Sequence, residues 1–221
     1  KGMLCFFGLF AGSALFFVKA LPHSGEDKAQ IDENAVDLSW RYKGFALIAM
    51  FIYFLAQGAI WAYLFLIATS SGLGEQQIAN SLTLSQFAGI AGALLTAMVG
   101  IRFGRPLPLI IGILAGIVPL LFLFGTTTAL IYTLVVLIYN FGWNMTHPYL
   151  LAAMASFDPS GKMIVYAVAM QTLGLAAGPA VAAMSISNGN YANVIWLGIF
   201  LFSVSLVFIL VPVLRQTRLA K

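Results

Sequence analysis

Seven stretches of the chain are almost purely apolar and contain no Asp, Glu, Lys or Arg: residues 3–18, 45–69, 79–100, 107–125, 128–153, 163–187 and 192–213. A helix needs about 20 such residues to cross a hydrocarbon core roughly 30 Å thick. A membrane barrel would show shorter, alternating segments instead. Helices also satisfy every backbone polar group internally, which lipid requires. The pattern therefore predicts an all-α, polytopic membrane protein with seven transmembrane helices. Between the later runs the chain uses turn formers: "SSGLGEQ", "SFDPSGK" and "SISNGNY" are Gly/Ser/Asn or Pro/Gly turns.

One long segment breaks this rhythm. "HSGEDKAQIDENAVDLSWRYKG", residues 23–44, holds five of the seven acids and three bases. It reads as a cytoplasmic connector with a short surface helix from Asp32, anchored at the headgroups by Trp40 and Tyr42. The expected organisation is a helix over 1–20, a connector over 21–44 and a six-helix bundle over 45–221. The first run has the outline of a signal peptide, but Lys19 stands where a small cleavage-site residue belongs. The chain opens on Lys, so the run is expected to be a helix entering from outside after a truncated start.

Composition agrees with the pattern. The 221 residues are 61% hydrophobic and 8% charged, against about a quarter charged in soluble domains, and the mean hydropathy is +0.97. The net charge of +4 sits in loops rather than along one face, so it does not point to nucleic acid. It does point to an orientation. If residues 45–69 cross from the cytoplasm outward, Lys19, Lys28, Arg41, Lys43, Arg102, Arg105, Lys162, Arg215, Arg218 and Lys221 lie inside and only Lys1 lies outside. The C-terminus is then expected in the cytoplasm. The single cysteine, Cys5, excludes an intrachain disulfide.

The runs also repeat. "SQFAGIAGALLTAM" (85–98) aligns with "MQTLGLAAGPAVAAM" (170–184), so Gln86/Gly89 recur as Gln171/Gly174. "GAIWAYLFLIA" (58–68) matches "GWNMTHPYLLAA" (142–153) loosely at nearly the same offset. Three helices per copy means the two copies run in opposite directions, an inverted repeat of the kind secondary transporters use. Gly174/Gly178, Gly8/Gly12 and Gly112/Gly116 read as packing motifs.

Polar residues inside the runs are the candidates for function. Asn140, Asn144 and His147 lie within about 60° of one helical face. Pro148, which follows, cannot donate to the Asn144 carbonyl. Such a stripe suits the wall of a hydrated cavity, or hydrogen bonds between helices. Tyr53, Gln57 and Trp61 form a second face, and Gln86 and Gln171 occupy matching places in the repeats. Nothing here forms a catalytic set or a metal cluster, and no cofactor is implied. No acid lies near His147 in sequence, so proton coupling through it is the weaker reading.

The stretch "VGIRFGRPLPLIIG" resembles the loop signature of the major facilitator superfamily, Gly-x-x-x-Asp-Arg-x-Gly-Arg-Arg/Lys. Arg102, Gly104 and Arg105 match it, while Ala97, Ile101 and Pro106 depart from it. "GAIWAYLFL" and "YNFGWNMTHPYLL" are similar to helices seven and ten of bacterial sugar and drug efflux members. The resemblance implies the carboxy-terminal half of such a transporter, helices six to twelve, in the bacterial inner membrane. It implies alternating access, H⁺ coupling, a small neutral or amphipathic solute, and an amino-terminal half as partner. It also implies that helices seven, eight, ten and eleven line the cavity. With Ile101 in place of the Asp, the signature's usual latch is in doubt, leaving Arg102 and Arg105 to orientation and lipid headgroups. The rival readings are a membrane-embedded assembly or scaffold subunit and, less favoured for want of an acid or nucleophile cluster, a membrane-embedded enzyme.

Overall fold

Residues 36–39 run extended, and the chain turns helical at Trp40. The computed structural model describes residues 36–100, 102–125, 127–187 and 189–219. They form α1 (Trp40–Ser70), α2 (Glu75–Val99), α3 (Pro106–Ile117), a 3₁₀ segment (Pro119–Leu123), α4 (Ala129–Ser156), α5 (Lys162–Ser185) and α6 (Ala192–Leu219). Counting α3 and its 3₁₀ continuation as one, six segments are long and apolar enough to cross a membrane. The protein is an all-helical membrane protein. The expected helix over 1–20, the connector up to residue 35 and the Gly8/Gly12 pair lie outside the described residues.

Two differences from the sequence pattern have plain causes. The expected surface helix from Asp32 does not continue through 36–39. There the backbone instead donates from Val36 and Leu38 to the carbonyls of Ser156 and Phe157, at 3.0 and 3.2 Å. The chain thereby satisfies carbonyls that the end of α4 would leave open. The apolar run 107–125 is not one α-helix, because Pro119 has no N–H to give Ala115. The last α-type bond is Val118 to Leu114 at 2.8 Å, and the chain tightens into 3₁₀ geometry beyond it.

Glycines decide which helices meet. α1 packs along α5 and α6, α4 packs along α2 and α3, and α3 touches α6. On α5, a Cβ at Gly174 or Gly178 would come within 2.5 Å of the α1 backbone at Phe51 or Ala59. On α2, Gly92 lies against the Phe141 carbonyl of α4 in the same manner. The expected packing role of Gly174 and Gly178 is what the structure shows. Between these contacts sits a core of large aromatics: Tyr53 and Tyr139 both meet Phe202 edge-on, with ring centres 5.4 and 6.3 Å apart. By contrast α2 and α5 are the least buried helices and expose Phe87, Ile90, Met98, Val165, Leu173 and Met184.

The charges are sorted by end. Arg41, Lys43, Arg102, Arg105, Lys162, Arg215 and Arg218, all the described bases, gather where α1, α3 and α5 begin and α2, α4 and α6 finish. At the other end the described charge is Glu75. At the basic end Lys43 is buried and bridges Asp37 at 2.6 Å and Asp158 at 3.5 Å. Burial pushes the Asp158 carboxyl up, but the Ser160 hydroxyl and amide, Lys43 and the Met163 amide together outweigh it and hold the group below the usual carboxylate range. Gly161, at φ +73°, makes the left-handed turn that starts α5.

Candidate functional site

α4 carries the polar stripe, and its neighbours divide that stripe in two. Toward the interior, the Tyr139 hydroxyl donates to Gln57 Oε1 at 2.5 Å, and Gln57 Nε2 donates to the Tyr53 hydroxyl at 3.0 Å. All three side chains are buried. Asn140 is buried beside them, and its amide donates to the Ser85 carbonyl at 2.9 Å and to Ser85 Oγ at 3.3 Å. Tyr53, Gln57 and Asn140 thus lie in the bundle interior rather than on an open face. A buried amide is costly unless paired, and these are paired by protein.

One turn on, the stripe comes to the surface. Asn144 donates to Asn140 Oδ1 at 2.9 Å and is half-buried. It fits because α2 has Gly89 opposite, where a Cβ would stand 2.6 Å from its amide nitrogen. His147, also half-buried, places Nε2 2.9 Å from Gln171 Oε1 on α5, and its ring meets Phe54 edge-on at 5.3 Å. With that amide oxygen as the partner, Nε2 carries the proton in the neutral ring and Nδ1 is left as an acceptor. Trp61 on α1 is 36% exposed and meets Trp143 of α4 at 5.7 Å between ring centres.

The result is one continuous surface made of Trp61, Trp143, Asn144, His147 and Gln171, at the seam where α1, α4 and α5 meet. Trp143 was not among the candidates drawn from sequence, although it precedes His147 by four residues and so shares its helical face. Gln86 is exposed on α2, where its amide reaches the Leu82 carbonyl of its own helix at 3.4 Å and no other candidate. Among the described residues no group of His, Cys, Asp and Glu is placed to hold a metal ion. On this surface the polar groups are amide, imidazole and indole, suited to hydrogen bonding an uncharged molecule.

The loop residues stand apart from it, at the basic end. Arg102 is exposed, Gly104 takes φ +70°, which only glycine adopts freely, and Arg105 Nη1 donates to Gln216 Oε1 of α6 at 3.2 Å. Arg105 therefore ties the loop to the last helix, a role the charge count did not suggest. The Lys43–Asp158 pair was missed as well; its only trace in sequence is a lone acid in the "SFDPSGK" turn.

An apolar groove of about 570 Å³ opens between α3 and α4, lined by Leu114, Val118, Phe122, Leu134 and Ile138 among others. It lies on the side of α4 opposite the polar stripe, so its size gives it no part in this site. No family model matches the chain, and neither a curated protein nor a solved structure is significantly similar to it.

Proposed function

We propose that these six helices are one half of a secondary transporter of the major facilitator type, and that the Trp61–Gln171 surface lines its solute path. The observation that carries the reading is a half-exposed band of amides, imidazole and indoles midway along spanning helices. Polar groups at that depth are stable when they face water or another protein, and costly against lipid. The packing supports the reading too. Exchanging α1 with α4, α2 with α5 and α3 with α6 carries the main contacts onto one another, as two inverted three-helix repeats would. On this view a second six-helix half faces the surface, between the exposed flanks of α2 and α5.

The remaining parts follow from the resemblance around Arg102, Gly104 and Arg105. The solute is small and neutral or amphipathic, H⁺ is the coupling ion, and access alternates across the bacterial inner membrane. The sorted charges support a cytoplasmic location for the basic end and, with it, the C-terminus. The assembly-subunit reading uses the same surface for a permanent protein contact. Flux separates the two. Full chain, together with any partner half, in liposomes is expected to move solute under an imposed pH gradient. An absence of flux for every solute offered removes the transport reading.

A further inference from the structure

The Trp61–Gln171 surface has an inventory of side chains of its own, and it narrows the solute. We infer that it takes an uncharged, ring-shaped solute that carries both hydrogen-bond donors and acceptors. This rests on the transport reading of the same surface.

Stacking comes from Trp61 and Trp143. Tryptophan in membrane proteins favours the interfacial belts, yet Trp143 stands at the middle of the 28-residue α4. Its ring packs edge-on to Trp61 rather than face to face, at 68° between planes, which leaves ring faces for a guest.

Hydrogen bonding comes from what the protein leaves unused. Among the described residues, no acceptor lies within hydrogen-bond distance of either indole N–H or of the Gln171 amide nitrogen, and no donor reaches Asn144 Oδ1. With Nε2 as the donor in the neutral ring, His147 Nδ1 has no partner among the described residues and can accept. The surface therefore offers donors at its Trp and Gln171 edges and acceptors at Asn144 and His147. Charge excludes the rest. The described Lys, Arg, Asp and Glu residues lie at the helix ends or in the loops, with none on this surface. An ionic guest would lose its water here with no counter-charge to replace it.

The test uses the full chain in lipid nanodiscs, with Trp40 and Trp196 replaced by Phe so that Trp61 and Trp143 are the remaining indoles. The probes are glucose and nicotinamide as neutral rings, sorbitol as an open chain of similar polarity, and glucuronate as a charged ring. Saturable quenching is expected with at least one neutral ring, and binding at least tenfold weaker for sorbitol and glucuronate. Trp143→Ala is expected to weaken the ring probe about tenfold. Trp143→Phe, which keeps a ring and guards against misfolding, is expected to stay within about threefold of the parent. Equal binding of sorbitol or glucuronate, or no binding of either neutral ring, overturns the inference. Binding of a neutral ring without its flux in liposomes keeps the inference about the guest and removes transport. Flux confined to charged or open-chain solutes keeps transport and removes the inference.

Discussion

Two polar clusters share α4 and use nearly the same residue types, yet they are built for opposite ends. The inner one, Tyr53–Gln57–Tyr139 with Asn140 beside it, is buried, and its donors and acceptors meet within the protein. The outer one, Asn144 and His147–Gln171 with the Trp61–Trp143 pair, is half-exposed and has groups without partners among the described residues. The inner cluster makes α1, α2 and α4 one body. The outer cluster has capacity to spare. A polar residue at membrane depth is thus not a sign of a solute site by itself; its partners inside the protein can use all of its hydrogen-bonding capacity.

The contrast can be broken from either side. The largest effect is expected from Gln57→Leu, which strands the Tyr139 hydroxyl in the dry interior and leaves the Tyr53 hydroxyl with Thr146 alone. At about 1–3 kcal/mol for the unpaired Tyr139 hydroxyl, and with one bond lost to Tyr53 besides, the loss should be about 3 kcal/mol, read as a lower melting temperature in detergent. His147→Leu and Asn144→Leu should each shift stability by less than about 1 kcal/mol while reducing flux. Equal destabilisation by all three would erase the distinction.

The two Gln-x-x-Gly glycines give a smaller effect of the same kind. Gly174→Ala drives a methyl into the α1 backbone, which cannot yield cheaply, and about 2 kcal/mol of stability should go. Gly89→Ala meets the end of the Asn144 side chain, which can swing away. It should cost less stability than Gly174→Ala and still disturb the outer cluster. A third measurement probes water directly. In a Cys5→Ser background, cysteines at 144 and 147 should react with aqueous thiol reagents about tenfold faster than one at 140. Similar rates at all three positions would place Asn140 on the open surface after all.

The smallest effect belongs to the basic end, where Lys43 holds one buried and one exposed acid. Asp158 sits below its usual range in the fold, so its stabilising contribution is present above pH about 4 and fades as pH falls through the lowered value. Asp158→Asn should remove that part of the acid limb from a melting-temperature profile. Asp37 is 73% exposed, and Asp37→Asn should cost under about 1 kcal/mol.

Much of this was legible from residue order. Six spans, their turns and the packing role of Gly174 and Gly178 follow from period, length and the special chemistry of glycine and proline. The stripe at 140, 144 and 147 was legible as a stripe. What lay beyond reach was its division, because only about 40° of helix rotation separates Asn140 from Asn144. Which of them is buried depends on where α2 brings Ser85 and Gly89. Tyr53 and Gln57 mislead for the same reason: their partner Tyr139 lies 82 positions after Gln57. The start of α1 was hidden by Arg41 and Lys43, which look like linker charges until Asp158, more than a hundred residues on, accounts for Lys43.

The 3₁₀ segment after α3 has a consequence of a different sort. The span from Pro106 to Leu123 is only 18 residues, about 27 Å if wound throughout as an α-helix. Five of those residues climb at about 2.0 Å each instead of 1.5 Å, adding about 2.5 Å. The proline break therefore works as an extension piece, bringing the shortest span to the roughly 30 Å thickness of the hydrocarbon core. A bilayer around this helix has less need to thin to meet its ends.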